Sequence, residues 1–486
     1  MDAPNWFDRL EKRLRSGANW LTETLVLPPQ PTPTTRQRAT RLAWMGGVYL
    51  LGLVVWVSFM DGGRIPFGVH DWGQEWAFDT TLQQSLRQAI LPLHTSAIVD
   101  GTQRFLAIPQ TILSPQTLLL RLIDLDAFLM VHTLLLLTVG FAGSLALMRY
   151  LKLSPLAGGL LFLLVALNGS LIAQVAVGHV MWLGVFVLPL FFLLLLRLAD
   201  GRAGVRWPVA MAFTLFLLLL QGSILIYIWC LIFLGLVWLV DREHRRKLFE
   251  ATLLSGLLGA FRLIPTGLAF AEPSSTFYPG YPSFAHLIAG LVLPLPPSEQ
   301  LWLTTSAGWW EFDMYIGFMG LVFVGWFGIA ESFRRKDRRR LAIYAAAGVM
   351  ALLALGYLYL PFRAIPFPFL SHQRIPSRLL AVPLLAMVVM ASEGLQTWLD
   401  RVRPGGGVRL AMTGLALILV QDLVQHARLW RLELVAQALP AEALDAGLHI
   451  ANRPDPPYTF ILIISGVISL IAIGYGLFRT WRDRKG

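Results

Sequence analysis

The sequence predicts an all-α polytopic membrane protein of about twelve transmembrane helices, and three observations carry that expectation. Of 486 residues, 56% are hydrophobic and only 14% charged, where soluble chains carry about a quarter charged residues. Apolar runs long enough to span a bilayer, about 17–25 residues, recur from residue 43 to the C-terminus. The basic residues behind the net charge of +11 sit in short clusters between those runs, where they orient a membrane protein rather than bind nucleic acid. These features exclude an ordinary cytosolic enzyme, a disordered chain and a disulfide-stapled secreted scaffold. The one cysteine, Cys230, lies in an apolar run and can form no internal disulfide.

Each span must satisfy its own backbone in hydrocarbon, which makes helices the default. Spans are expected near 43–60, 127–148, 155–175, 181–198, 207–220, 222–240, 248–270, 314–331, 341–360, 377–398, 409–425 and 458–478. Only Gln221 and Gly222 divide the fifth from the sixth; one long helix there would invert every later orientation. Twelve spans put both termini in the cytoplasm. Every inside segment then holds basic residues, including the RRKDRRR run at 334–340, while the outside stretch 271–313 holds none. Residues 1–42 form a cytoplasmic lead-in. Within it, Trp6, Phe7, Leu10, Leu14 and Leu21 alternate with basic residues as in an amphipathic helix on the anionic leaflet, with a frayed tail as the alternative. Pro28, Pro29, Pro31 and Pro33 make a stiff linker. The first apolar run begins too far in for a cleavable signal peptide. Residues 43–400 form the core, with long extracytoplasmic loops 61–126 and 271–313, and 401–486 add the last spans and a basic tail.

Unequal outside loops point to work at the outer face. In loop 61–126, Phe78, Leu82, Leu86 and Ile90 recur every four residues opposite Gln83, Gln84, Arg87 and Gln88, predicting an interfacial helix. Just before it, GVHDWGQEW at 68–76 places Asp71 close above the bilayer, where a carboxylate between aromatics suits a general base; a solvated acid, or a pair with Arg64, is the bland alternative. Arg262 lies within a span and is a candidate phosphate ligand or a snorkelling residue. His372, Arg374 and Arg378 gather at the outer mouth of the tenth span, again as phosphate ligands or an interface cluster. His179 caps a tight outside turn and reads as a hydrogen-bonded turn residue. Asp124/Asp126 and Glu311/Asp313 have the oxygen chemistry for magnesium or manganese, but acids also complement helix N-termini, so no metal is favoured. Walker, dinucleotide, GxSxG and HExxH motifs are absent from the sequence.

The ordered stretches GTQRFLAIPQTILSPQTLL (101–119), LNGSLIAQVAVGHVMWLGVFVLPLFFLLLLRL (167–198), FRLIP (261–265), MYIGFMGL (314–321) and QRIPSRLL (373–380) resemble YfhO-type bacterial membrane proteins of the GT-C glycosyltransferase superfamily. The resemblance implies a GT-C-like bundle in a bacterial inner membrane. It implies transfer of a sugar from a polyprenyl-phosphate donor to an extracytoplasmic glycan, lipid or protein acceptor, with inversion. Asp71 then falls on the catalytic acid, with Glu75 the nearest substitute, and Arg262, His372, Arg374 and Arg378 on the lipid phosphate. His70, Trp72, His179 and Glu311 become candidate sugar or acceptor contacts. No cofactor is required, and a divalent cation at Asp124, Asp126 or Asp313 is the alternative. Trp72, Trp76, Trp302, Trp309, Trp310 and Tyr315 could stack on sugar, though most read as the outer aromatic belt. A twelve-helix secondary transporter and a non-catalytic membrane scaffold are the rival readings.

Overall fold

The computed structural model describes residues 6–28, 32–99, 102–269, 276–298, 308–335, 338–365, 370–441 and 449–485. Trp302 and part of the Pro-rich linker lie outside them. The fold is all-α apart from a two-stranded antiparallel ribbon, His94–Val99 with Thr102–Arg104. Among the described residues, seven helices are long and apolar enough to cross a membrane, and eight if the bent pair Arg245–Leu258 and Ala260–Ala269 counts as one span. Trp207–Leu220, Ile224–Val240 and Leu341–Leu353 are shorter apolar helices. The expected eighth span is broken into Gly317–Phe323, a π-helical turn Val324–Ala330, and Glu331–Arg335. Every predicted span therefore finds apolar helix, but twelve full-length helices are not what forms.

The core sits on two spans, Pro155–Ala176 and Val180–Ala199, which are almost wholly buried. Local chemistry shapes the first of them. Ser154 caps its start, accepting from Ala157 N–H at 3.3 Å, and Pro155 sits where no N–H is needed. Asn168 then caps a second start, accepting from Leu171 N–H at 3.1 Å, so the span is Pro155–Ala166 followed by Gly169–Ala176. Helices Gly406–Leu429 and Pro456–Lys485 lie outside this core with Leu417, Ile418, Leu470 and Ile471 exposed, apolar faces that fit contact with lipid.

The doubtful pair resolves into two helices. Gly222 takes φ +72°, and a Cβ there would lie 2.1 Å from the Gln110 carbonyl oxygen, so the turn needs glycine both for its backbone and for the loop docked on it. Leu113 N–H donates to Leu220 O at 2.9 Å across the same junction. At the other end of the bundle, Arg340 pairs with Asp200 at 2.7 Å and with Glu393 at 2.9 Å, so the acid near the inner end of the tenth span is part of an ion-pair knot.

Two helices outside the predicted spans form as expected and pack onto the protein. The helix after Asp71 runs Trp72–Gln88 and does not simply float on an interface. Phe78 and Leu82 are buried in protein, but so are Glu75, Asp79 and Thr81, and Gln83 donates to the Leu120 and Ile123 carbonyls at 3.1 Å. Ile90 lies beyond the helix end and is exposed. The N-terminal helix Trp6–Val26 does form, and it ends docked rather than free: Thr22, Thr24, Leu25 and Val26 are buried. The stretch before the last helix is tied to the outer loop, with Asn452 Oδ1 accepting from Leu93 N–H at 2.8 Å and Asp455 bonding Arg104 at 3.0 Å.

Gly222→Val should lower the melting temperature in detergent, since the backbone strain alone is worth about 1–3 kcal/mol; an unchanged melt would contradict the tight turn.

Candidate active site

Three chain segments converge on Asp71. The turn before Trp72–Gln88 carries His70 at φ +47° and Asp71 at the helix start. The short helix Gly169–Ala176 supplies Gln174, and the turn after it, through Gly178, supplies His179. Gly178 has φ +98°, and a Cβ there would lie 2.3 Å from the Trp72 nitrogen. That bare backbone is what lets the two turns touch. Trp72 anchors the contact by donating from its indole to Ala176 O at 3.0 Å.

The polar chain built on this contact is continuous. Asp71 Oδ2 lies 2.5 Å from His179 Nε2. His179 Nδ1 bonds Gln174 Oε1, and Gln174 Nε2 donates to Trp310 O at 2.9 Å and to Glu311 Oε2 at 3.1 Å. Glu311 takes a two-pronged bond from Arg378, whose Nε and Nη2 each lie 2.5 Å from a carboxylate oxygen. Ser377 Oγ adds a bond to the Glu311 carbonyl at 2.6 Å. His70 Nδ1 is 3.6 Å from Asp71 Oδ1, and its ring meets Trp310 edge-on at 4.9 Å. Asp71 is 42% exposed, whereas Glu311 and Arg378 are nearly closed off. Oδ1 of Asp71 is thus the carboxylate oxygen left free of His179.

Electrostatics follow from these partners. Burial pushes the Asp71 carboxyl upward, but the His179 bond and the electrostatic pull of His179, His70 and Arg378 outweigh it and hold it at about 2. Burial likewise pushes Glu311 up, and Arg378, with help from His179 and Gln174, brings it below the usual range. Glu75 moves the other way: burial, then the negative neighbours Asp79 and Asp71, raise it well above its ordinary value. Burial raises Asp79 to about 7, and among the described residues neither of its oxygens has a hydrogen-bond partner. Asp71, Glu75 and Asp79 recur every four residues, so one helix face carries an ionised acid at its exposed end and proton-holding acids inward.

The structure brings together Asp71, His70, Trp72, His179, Glu311 and Arg378 and leaves other candidates elsewhere. Asp71 pairs with His179, not Arg64. Arg262 is buried and donates to Thr111 Oγ1 at 2.7 Å, Thr111 O at 2.7 Å and Pro109 O at 3.1 Å, so it clamps the outer loop to the bent pair and lies outside the Asp71 network. Arg374 is exposed and makes no side-chain bond among the described residues; His372 is half-buried, 3.3 Å from Ser371 Oγ. The acids weighed for a metal are scattered. Asp126 accepts from Ile65 N–H at 3.1 Å, Asp124 is exposed at the start of Leu125–Leu151, and Asp313 is buried against His426 at 2.9 Å. Among the described residues no three or more metal-ligating side chains cluster. The belt reading fails for Trp72, Trp309 and Tyr315, which are buried inside the protein; Trp76 and Trp310 are half-buried.

Two residues escaped the sequence reading. Gln174 is a polar side chain in an apolar run, a costly placement and hence a functional candidate. Asp79 stands eight residues after Asp71, a spacing that predicts a shared helix face.

An apolar groove of about 750 Å³ opens among helices that flank the turns of Glu311 and Arg378 in the chain. It lies between Phe284–Val292, the broken helix 317–335, Leu341–Leu353 and the start of Ala381–Val402, with Leu287, Leu291, Val324, Tyr344, Leu380 and Leu384 among its walls. Leu380 is two residues from Arg378, and Met314 and Ile316 bond back to Gly290 and Leu291 at 3.0 and 2.9 Å. The groove and the polar chain thus share the segments around Glu311 and Arg378. Comparison with family models, curated proteins and solved structures returned no match for this chain.

Arg262→Met should lose on the order of 3 kcal/mol of stability by stripping buried carbonyls of a charged donor; wild-type melting with lost activity would return Arg262 to the site. For Asp79 the proton is kept on folding and released on unfolding between pH about 4 and about 7, so it destabilises the fold as pH rises through that window. Asp79→Asn should accordingly melt higher than wild type at pH 8 and show a flatter stability profile from pH 4 to 7. Equal melting at both ends would show that Asp79 is not buried as described.

Proposed function

We propose that this chain is a membrane glycosyltransferase that moves a sugar from a polyprenyl-phosphate donor to an extracytoplasmic acceptor, in the manner of the GT-C superfamily. The observation that supports it most is the half-exposed Asp71, bonded through one oxygen to His179 and joined by a hydrogen-bonded chain to Arg378, two residues before a wall of an apolar groove. In the proposed reaction Asp71 Oδ1 takes the acceptor hydroxyl proton as the acceptor oxygen bonds the anomeric carbon. The bond from that carbon to the phosphate oxygen breaks, and its electron pair leaves with the phosphate, inverting the centre.

A carboxylate held near 2 is a weak base by itself. An anionic phosphate brought beside it opposes the local cations and moves it upward, toward the range that proton transfer needs. Binding of donor would thus prime the base. For the departing phosphate the candidate is Arg374, which is exposed and has no side-chain bond among the described residues, while Arg378 is already spent on Glu311 and acts by holding the acid in place. The groove has the apolar walls and size for part of a prenyl chain.

The transporter reading draws on the 75° break between Arg245–Leu258 and Ala260–Ala269, a feature of transport sites when repeated in both halves. Glycan product in cells separates the readings. Asp71→Asn and Asp71→Ala should reduce product by about 100-fold or more, within the range expected for loss of a general base, at unchanged protein level, and Arg374→Ala should weaken donor-lipid binding about tenfold. Full product from both Asp71 variants would defeat the enzyme reading.

A further inference from the structure

The bonds around His179 fix where its protons lie. Gln174 Nε2 faces two groups that only accept, the Trp310 carbonyl and the Glu311 carboxylate. That orients the amide, because a flipped amide would set oxygen against both. Gln174 Oε1 is then the atom turned to His179 Nδ1, and an amide oxygen has no proton to give. Nδ1 must be the donor. The other ring nitrogen, Nε2, sits 2.5 Å from Asp71 Oδ2, a separation that requires a proton between them.

We infer that Gln174 is a positioning residue that holds a proton on His179 Nδ1, so that His179 carries protons on both nitrogens and presents a fixed positive charge to the Asp71 carboxylate. Of the charged and titratable groups around it, the carboxylates of Asp71 and Glu311 favour this arrangement. Asp71 faces Nε2, the His70 ring centre is 6.2 Å away, Glu311 stands behind Gln174, and Arg378 stands behind Glu311. Along the chain the charges alternate, with Asp71 and Glu311 negative and His179 and Arg378 positive. Asp71 Oδ2 is thereby occupied, and Oδ1 is the oxygen turned to an incoming hydroxyl. The role assigned to Gln174 rests on the reading of Asp71 as the working carboxylate, but the proton positions do not.

The test is a 15N–1H spectrum of the imidazoles in the full chain, labelled with 15N-histidine, in lipid nanodiscs at pH 7 without donor or acceptor. The chain has nine histidines, and the signal lost in His179→Asn identifies the one required. The expected wild-type spectrum has both His179 nitrogens protonated. Gln174→Met, similar in size but without an acceptor oxygen, should lose the Nδ1 proton and keep the Nε2 proton, and Gln174→Glu, which keeps an acceptor oxygen, should restore the wild-type pattern. A bare nitrogen in wild-type His179, or two protonated nitrogens in Gln174→Met, would overturn the inference. If the spectra come out as expected while glycan product is indifferent to Asp71, the proposed reaction fails and the proton assignment stands. If product depends on Asp71 but wild-type His179 has a bare nitrogen, the reverse holds.

Discussion

The bidentate bond between Glu311 and Arg378 is the constraint on which the rest of the site depends. Both groups are nearly closed off from solvent, and a buried ion pair is tolerated only when geometry is good and its remaining polar atoms are satisfied. Here Gln174 supplies a further donor to Glu311, and Ser377 bonds the Glu311 carbonyl. The pair locks the turn Trp309–Glu311 against Pro376–Leu380, and through Gln174 it sets the position of His179 and so of Asp71. An acid at a half-open mouth is thus oriented by a charge pair that water scarcely reaches, where electrostatic interactions are stronger than at a surface.

The same rigidity organises what lies beside the site. The turn that carries Glu311 continues into Met314 and Ile316, which bond the helix Phe284–Val292, and that helix forms one wall of the apolar groove. Glu75 and Asp79 extend from Asp71 into the interior as acids that keep their protons, so the helix face changes from charged to neutral over two turns. That gradient confines negative charge to the mouth.

Much of this was legible in the sequence because lipid imposes it. Apolar helix lies where the hydropathy pattern places spans, since backbone in hydrocarbon has few alternatives. Gly222 marks a real helix break, and the hydropathy pattern sets Asp71, His179, Glu311 and Arg378 as polar residues near the ends of apolar runs. What the sequence could not disclose is who pairs with whom. Asp71 and His179 are 108 residues apart and Glu311 and Arg378 are 67 apart, separations that no periodicity encodes. Arg262 and Arg374 look alike in composition, yet one is consumed by Thr111 and Pro109 while the other stays exposed. Trp72 and Trp309 resemble belt residues until their burial is known, and the i, i+4 face that matters on Trp72–Gln88 carries acids as well as the apolar stripe.

The claim that Asp71 and Arg378 belong to one hydrogen-bonded unit is tested most directly by a double-mutant cycle in thermal or denaturant unfolding, with Asp71→Asn, Arg378→Lys and the pair. Residues coupled through a shared network show interaction energies of about 0.5–3 kcal/mol, and a value within that range is expected here. Additive effects, agreeing within about 0.3 kcal/mol, would mean that the two ends do not sense each other and would contradict the account.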